Sequence, residues 1–280
     1  MKILIAGGNG EVGEDLAGYL SKQHEVIVGS RKCQNKKIGN IIHKKIDFSK
    51  KIVFNKKIDL IVNCLATHEH SKRKEFDDYY KSNVLSIFNI IRFAKKKKIR
   101  VINLSTVSIY DTSKNQYVSE INEEISNNKL AVTKFIGEKL FKLSDIDFIS
   151  LRMPGVLTTN KKATRPWLRL QISNFRHNKK ITCFNLEKNF NSMIDTKEIF
   201  YFINFAIKKK FPNDNYNFLA NRPIKLKNIF QIIKKKLNSK SNIVNLKNTK
   251  SIIIDMNKVK KKYHFKINSV KNILTRNLND

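Results

Sequence analysis

The sequence predicts an α/β fold: a doubly wound parallel sheet followed by a smaller C-terminal region. Three observations predict it. Short apolar runs alternate with helical patterns through the first half, a glycine-rich turn closes the first apolar run, and the texture changes after Pro154.

The elements follow in order. KILIAG (2–7) and EVIVGS (25–30) read as strands, with a helical pattern over 11–22 between them. HKKIDF (43–48) reads as a third strand. IDLIVNCLA (58–66) is apolar nearly throughout, as a strand covered by helices on both faces must be. RVINLST (100–106) and FISLRM (148–153) complete the set, and helical patterns occupy 76–98 and 128–143. The last contains KLAVTKFIGEKL (129–140), an amphipathic pattern with Leu130, Phe135, Ile136, Leu140 and Phe141 available for packing. After Pro154 the stretch 158–185 is polar and basic around Trp167 and Leu168, which predicts irregular structure. Helices are expected at 196–209 and 224–237, and a short strand at 216–220.

The chain has 280 residues, enough for one large domain or two closely joined ones. Hydrophobic residues make up 41% and charged residues 28%, a folded composition rather than a disordered one. No apolar run approaches the length of a membrane span, and MKILIAGG meets its glycines too early for a signal-peptide core, so a cytoplasmic location is expected. Cys33, Cys64 and Cys183 are widely spaced and form no metal-ligand pattern, which predicts reduced thiols and no metal site. The 56 basic and 23 acidic residues leave a net charge of +33, which favours anionic partners. A general enrichment in Lys, Ile and Asn accounts for that charge more simply. The runs Lys95–Lys98, Lys208–Lys210, Lys234–Lys236 and Lys260–Lys262 fall near the ends of predicted helices, where cations suit the helix dipole. No zinc-finger spacing or aromatic-basic RNA motif is present, so no specific nucleic-acid partner is expected.

The first strand ends in AGGNGEVG (6–13). Gly8, Gly10 and Gly13 satisfy G-x-G-x-x-G, and Gly7, Gly10 and Gly13 satisfy G-x-x-G-x-x-G. Glycine permits the tight turn and the close approach of backbone to a pyrophosphate, and the helix that follows directs its N-terminal N–H groups at the phosphates. The strand before and the helix after are the context that makes this a dinucleotide-binding loop of the Rossmann kind. Asn9 shapes the turn, with Glu11 and Val12 completing the loop. The dinucleotide-binding domain is therefore placed at 1–157. A mainly substrate-binding region is placed at 158–280, part of it returning to the first domain. An acidic residue at the end of the second strand would select NAD. Here Ser30, Arg31 and Lys32 stand instead, and Arg31 is suited to pair with a 2′-phosphate, which favours NADP while leaving NAD open.

With these motifs in place the chain resembles the extended short-chain dehydrogenase/reductases, the NAD(P)-dependent epimerase/dehydratase family that acts mainly on nucleotide sugars. The resemblance runs nearly end to end: the glycine loop, Asp47-Phe48, NCLA (63–66), DYYKSNVLSIFNIIRFAKKKKIRVINLSTVSIY (78–110) with Asn83, LRMPGV (151–156) and SIIIDMNKVKKKYHFKI (251–267). It implies a nucleotide-sugar substrate, a homodimer built on the helices near 83–98 and 128–143, and Asp47 at the adenine. It also implies that Asn63, Cys64, Leu65 and Ala66 line the ribose and nicotinamide side, with Pro154 at the nicotinamide. It implies a Ser or Thr on the fifth strand, a Tyr as acid/base and a Lys four residues later on the ribose. Thr106 stands at the first of these positions and Lys134 at the last. The Tyr position is Leu130.

Leucine neither donates nor accepts a proton. General acid–base catalysis is worth roughly 10²–10⁴-fold, so its loss slows a hydride transfer without abolishing it. One reading is an oxidoreductase working at the sugar C4 carbonyl or hydroxyl, its proton supplied by water, Thr106, Tyr110 or the cluster His68-Glu69-His70. Another is a dinucleotide-binding sensor or scaffold without turnover. An epimerase or dehydratase, or a basic nucleic-acid-binding protein, are lesser alternatives. Tyr117 lies too far from Leu130 in sequence for spacing to recommend it. Residues 158–195, with Arg165, Trp167 and Asn191, are expected to shape the pocket. Surface charge, core packing and turn formation are simpler accounts of those three residues.

Overall fold

The computed structural model describes residues 1–68, 71, 75–113, 117–122, 125–160, 166–209, 212–246 and 251–279. Two compact units partition the chain. One comprises Met1–Asp111, Glu123–Arg152 and Ile199–Tyr216, and the other comprises Thr112–Asn122, Met153–Glu198 and Asn217–Asp280.

The first unit is built on an eight-stranded sheet: β1 (Lys2–Ala6), β2 (Glu25–Ser30), β3 (Lys36–Ile38), β4 (Ile41–Lys45), β5 (Leu60–Asn63), β6 (Arg100–Thr106), β7 (Phe148–Met153) and β8 (Asp214–Asn217). The strand order is β8-β7-β6-β5-β1-β2-β4-β3. β1 pairs in parallel with both β2 and β5, so the order of winding reverses there, and the crevice beyond the carboxyl ends of those strands is where such sheets take ligands. The third strand predicted at 43–48 forms at 41–45 because β3 folds back on it as an antiparallel hairpin, pairing Ile38 with Ile41. Gly39, at φ +54°, supplies the left-handed turn between them.

Helices of this unit include α1 (Glu11–Leu20), α2 (Phe76–Tyr80), α3 (Ser86–Lys97), α4 (Lys129–Lys142) and α5 (Thr196–Lys208). The single helix predicted over 76–98 is interrupted by a π-helical turn, Lys81–Leu85, between α2 and α3. Such turns concentrate at functional sites. A Cβ on Gly137 of α4 would meet the Asn83 carbonyl oxygen at 2.8 Å and Ile87 Cδ1 at 2.5 Å, so glycine lets the two helices touch at the π turn. Lys95, Lys96 and Lys97 close α3, and Lys98 caps it in the left-handed conformation, as the dipole reading of that run expects.

Between the sheet and α3 lies an apolar core that includes Leu4, Ile61, Ile90, Ala94, Phe141 and Phe148. α4 packs differently from its sequence pattern. It buries Ala131, Thr133, Lys134, Gly137, Glu138 and Phe141, while Ile136 is 38% exposed and Leu143, just beyond the helix, 83%. Hydrogen-bonding partners on neighbouring strands draw its polar residues inward, and part of the apolar stripe is left outside.

The second unit has small two-stranded pairings, among them Val156–Leu157 with Ile194–Asp195 and Tyr117–Val118 with Ile253–Ile254. The polar stretch expected to be irregular contains a helix, Trp167–Arg176, which buries Leu168, Ile172 and Phe175. Phe175 stacks obliquely on Phe230 at 5.5 Å. A buried network joins Arg276 to Asp195 and Glu198, at 2.7 and 2.9 Å. No helix among the described residues is long and apolar enough to cross a membrane.

Candidate functional site

The glycine loop folds as its spacing requires. Gly7 takes φ +79° and donates its N–H to Gly29 O at 2.9 Å, and Gly10 N–H returns to Gly7 O at 3.0 Å. A Cβ on Gly13 would lie 2.6 Å from Gly8 Cα and 2.7 Å from Gly7 O, and one on Gly8 would lie 2.7 Å from Val28 Cγ1. Backbone fills the space a side chain would take at Gly13, and the Val28 side chain fills it at Gly8, so the loop closes onto the first turn of α1. Gly10 caps that helix with no side-chain hydrogen bond, so the cap leaves the first amides to a ligand. Asn9, Gly10 and Glu11 are exposed and Val12 half-buried. Asn9 Oδ1 accepts from the buried Cys33 thiol at 3.1 Å, which anchors the turn to the end of β2. This cradle fits the pyrophosphate of a dinucleotide.

At the end of β2, Ser30 Oγ accepts from Lys32 N–H at 3.3 Å, and Arg31 is exposed. Asp47 Oδ1 accepts from both Ser49 N–H (3.0 Å) and Ser49 Oγ (2.7 Å). Burial raises the Asp47 carboxyl, but Ser49 together with Arg31 and Lys50 outweighs it and holds the group below its ordinary value. Asp47 is thus a charged acceptor close enough to Arg31 to feel its charge. The Phe48 ring is buried in the core under Gly29, so only its backbone is available to a ligand.

Beyond β5 the chain is braced by amides. Asn63 Nδ2 donates to Asn103 Oδ1 (2.8 Å), and Asn103 Nδ2 to Ser150 Oγ (2.8 Å), a buried line across β5, β6 and β7. Asn63 Oδ1 receives Leu65 N–H at 3.2 Å and so sets the turn that carries Cys64, Leu65 and the exposed Ala66. Asn83, fully buried in the π turn, accepts Thr67 N–H at 3.0 Å and donates to Thr67 O and Thr133 Oγ1, both at 3.1 Å. It ties the segment after β5 to α4.

On α4, one turn separates Leu130 from Lys134. Leu130 is half-buried, and Lys134 is 3% exposed. Lys134 Nζ donates to Leu65 O at 2.9 Å and Leu104 O at 3.0 Å, bridging the carboxyl ends of β5 and β6. Burial lowers its ammonium to about 8, against the pull of Cys64 and Glu138. The Cys64 thiol is pushed up to about 12 by burial, opposed by Lys134. Thr106 ends β6 two residues past Leu104, and its Oγ1 accepts from Ser108 N–H at 3.1 Å.

The sequence reading missed one part of this arrangement. Arg152 donates to Glu138 through Nε and Nη2 and to Tyr110 OH through Nη1 at 2.9 Å, and the guanidinium also lies 5.1 Å from the Tyr110 ring centroid. The signal was present: Glu138 stands four residues after Lys134, on the same helical face. Tyr110, considered above as a proton source, is buried and committed to this guanidinium.

Pro154 is buried in the second unit. Trp167 packs on Phe190 and Phe230, and the buried Asn191 donates to Ile254 O at 3.1 Å, so packing and turn formation account for both. His68 is half-buried, while Glu69, His70 and Arg165 lie outside the described residues.

A Rossmann sheet with this loop at its switch point defines a dinucleotide-binding protein. A model of the NAD-dependent epimerase/dehydratase family matches residues 3–217, and the chain belongs to that family. An uncharacterized protein, MJ1055, of Methanocaldococcus jannaschii is 28% identical over 273 residues, covering 85% of this chain and 82% of that one. The Bordetella bronchiseptica enzyme WbmG, solved in complex with NAD, superposes with a TM-score of 0.81 at 17% identity over 100% of this chain and 93% of that chain. The UDP-N-acetylglucosamine 4-epimerase of Methanobrevibacter ruminantium, in complex with UDP-N-acetylmuramic acid, gives 0.82 at 18% identity over 99% and 97%. For the UDP-glucuronic acid 4-epimerase of Bacillus cereus, in complex with NAD, the values are 0.80 and 19% over 99% and 94%. At these identities the structures share the fold.

Proposed function

We propose that the chain is an NADP(H)-dependent, cytoplasmic oxidoreductase that reduces or oxidises a nucleotide sugar at C4. The observation that carries this reading is the pairing of an intact glycine cradle with Lys134 held across β5 and β6 where Leu130 replaces the acid/base tyrosine that the family resemblance implies. Bound nicotinamide would supply or accept the hydride. Gly7, Gly10 and Gly13 would hold the pyrophosphate, Arg31 the 2′-phosphate, Asp47 the adenine and Lys134 the ribose, while Thr106 would orient the reacting oxygen. A 4-epimerisation moves the O4 proton off and back across two hydride transfers, and a dehydration adds proton transfers at sugar carbons, whereas a single C4 redox step needs one proton transfer at oxygen and so suits a site with Leu130 better. The solved relatives described above, two of them UDP-sugar 4-epimerases, support the substrate class.

A homodimer is part of the proposal. Phe76, Tyr80 and Phe88 are 44–51% exposed along α2 and α3, and Ile136 and Leu143 lie outward on and just after α4. That much apolar surface on α2, α3 and α4 suits a second copy. The Leu130 substitution also favours a second reading, a dinucleotide-binding sensor without turnover. Mass spectrometry of any nicotinamide released from the purified, denatured protein tests the cofactor assignment. NADP(H) is expected, and NAD(H) alone would overturn it.

A further inference from the structure

We propose that Arg152 is a positioning residue: its one guanidinium fixes the spacing between Thr106 and Lys134. This rests on the C4 oxidoreductase reading and adds the residue that sets its two site side chains against each other.

Thr106 and Lys134 come from different elements, the end of β6 and the buried face of α4. Each lies four residues before a side chain that Arg152 holds. Glu138 follows Lys134 by one turn of α4, and Tyr110 follows Thr106 through the single 3₁₀ turn Val107–Ile109. Arg152 Nη2 donates to Glu138 Oε2 at 2.7 Å, and Nε donates to both carboxylate oxygens at 3.1 Å. Nη1 turns the other way and donates to Tyr110 OH at 2.9 Å. Arg152 itself stands near the carboxyl end of β7, a strand buried along its whole length. A planar guanidinium keeps these donor directions fixed relative to one another, which a single ammonium does not.

Both arms are short and braced. Tyr110 N–H donates to Val107 O at 3.1 Å. Ser108 N–H donates to Thr106 Oγ1 at 3.1 Å, which uses the hydroxyl oxygen as acceptor and leaves its proton for a substrate oxygen. On the other arm, Glu138 also receives Asn215 Nδ2 at 2.9 Å, and Thr133, beside Lys134, receives Asn83 Nδ2 at 3.1 Å. A buried ion pair adds little stability over apolar packing of equal volume. What this pair supplies is a fixed geometry between the turn after β6 and the helix that carries Lys134.

Two experiments test this. The first needs no substrate. In protein labelled with ¹³C at its threonine methyls, the Thr106 and Thr133 signals are identified by their loss in Thr106→Ser and Thr133→Ser. Tyr110→Phe removes one arm and keeps the ring, so it should shift or broaden the Thr106 methyl signal and leave that of Thr133 in place. An unchanged Thr106 methyl signal overturns the proposal.

The second is turnover with NADPH and a 4-keto nucleotide sugar. Tyr110→Phe should bind NADPH within a few fold, because Glu138 still holds the Lys134 side, while kcat falls roughly tenfold or more. Arg152→Lys keeps the charge beside Glu138 but not the reach to Tyr110, so it should lose at least as much kcat while restoring most of the stability lost in Arg152→Met. Adding Tyr110→Phe to Arg152→Lys should lower kcat no further, since both remove the same contact. Losses that multiply, or a wild-type kcat in Tyr110→Phe, overturn the proposal alone. A wild type that binds NADPH but reduces no sugar overturns the functional reading instead, and the methyl signals still decide the role of Arg152.

Discussion

Arg152 grips Glu138 through three hydrogen bonds of 2.7 to 3.1 Å, and both side chains are almost fully buried. Burial works against the Arg152 charge, but Glu138 and Tyr110 together bind its proton more firmly than water does. The pair pins β7 to α4 one turn beyond Lys134. Removing one partner strands the other charge, so Arg152→Met should cost about 3–5 kcal/mol in urea unfolding. A loss below 1 kcal/mol would show that water or Asn215, which already donates to Glu138 at 2.9 Å, satisfies the carboxylate alone.

Gly13→Ala should abolish NADPH binding measured by nicotinamide fluorescence, because its Cβ would press on Gly8 and on Gly7 O. Gly18→Ala, in the same helix with nothing within 4 Å of the added methyl, should bind normally and stabilise the protein by about 1 kcal/mol. Equal binding by both variants would remove the pyrophosphate from this loop.

Arg31→Ala should weaken NADPH roughly 10–100-fold, the value of a charge-assisted hydrogen bond, and leave NADH nearly unchanged. Isothermal titration with both cofactors measures the ratio. Parallel losses would mean that Arg31 acts on the adenosine generally rather than on a 2′-phosphate.

Lys134 links stability to pH. Its folded-state ionisation near 8 lies below the ordinary 10.5, so between those values the unfolded chain binds the extra proton. Stability from this group therefore rises with pH from about 8 and levels off above about 10.5. The difference in unfolding free energy between wild type and Lys134→Met, taken without nicotinamide, should shift toward wild type from pH 8 to 10. A difference independent of pH contradicts the burial assigned to the amine.

Leu130→Tyr returns a phenol to the turn before Lys134. If the surrounding strands keep the arrangement the family implies, the reduction rate should rise by an order of magnitude or more. An unchanged rate would mean that Leu130 does not face the reacting oxygen.

Much of this was legible in the sequence, for identifiable reasons. The glycine spacing and the apolar runs of β1, β2, β5 and β6 depend on local sterics and burial, which a single strand reveals. The π turn at Lys81–Leu85 was not legible, because it exists to meet Gly137 across a second helix. Phe141 and Leu140 pack as the amphipathic reading of α4 expected, but the outward Ile136 and the inward Glu138 depart from it, since the decisive partner, Arg152, lies on another strand. Helix Trp167–Arg176 was hidden because its three core residues are diluted by polar neighbours. At the site, Lys134 was placed by motif, but the two carbonyls that hold it are backbone groups with no sequence signature.

The proposed oxidoreductase would move hydride although Leu130 has displaced the usual proton donor. The most direct measurement is the nicotinamide absorbance of the purified protein with NADPH when a panel of 4-keto nucleotide sugars is added. A substrate-dependent fall, with one reduced sugar formed per NADPH consumed, is the predicted result. NADPH bound tightly yet unchanged across the whole panel, and NADP+ equally inert with the 4-hydroxy sugars, would contradict it and leave a dinucleotide-binding protein without turnover.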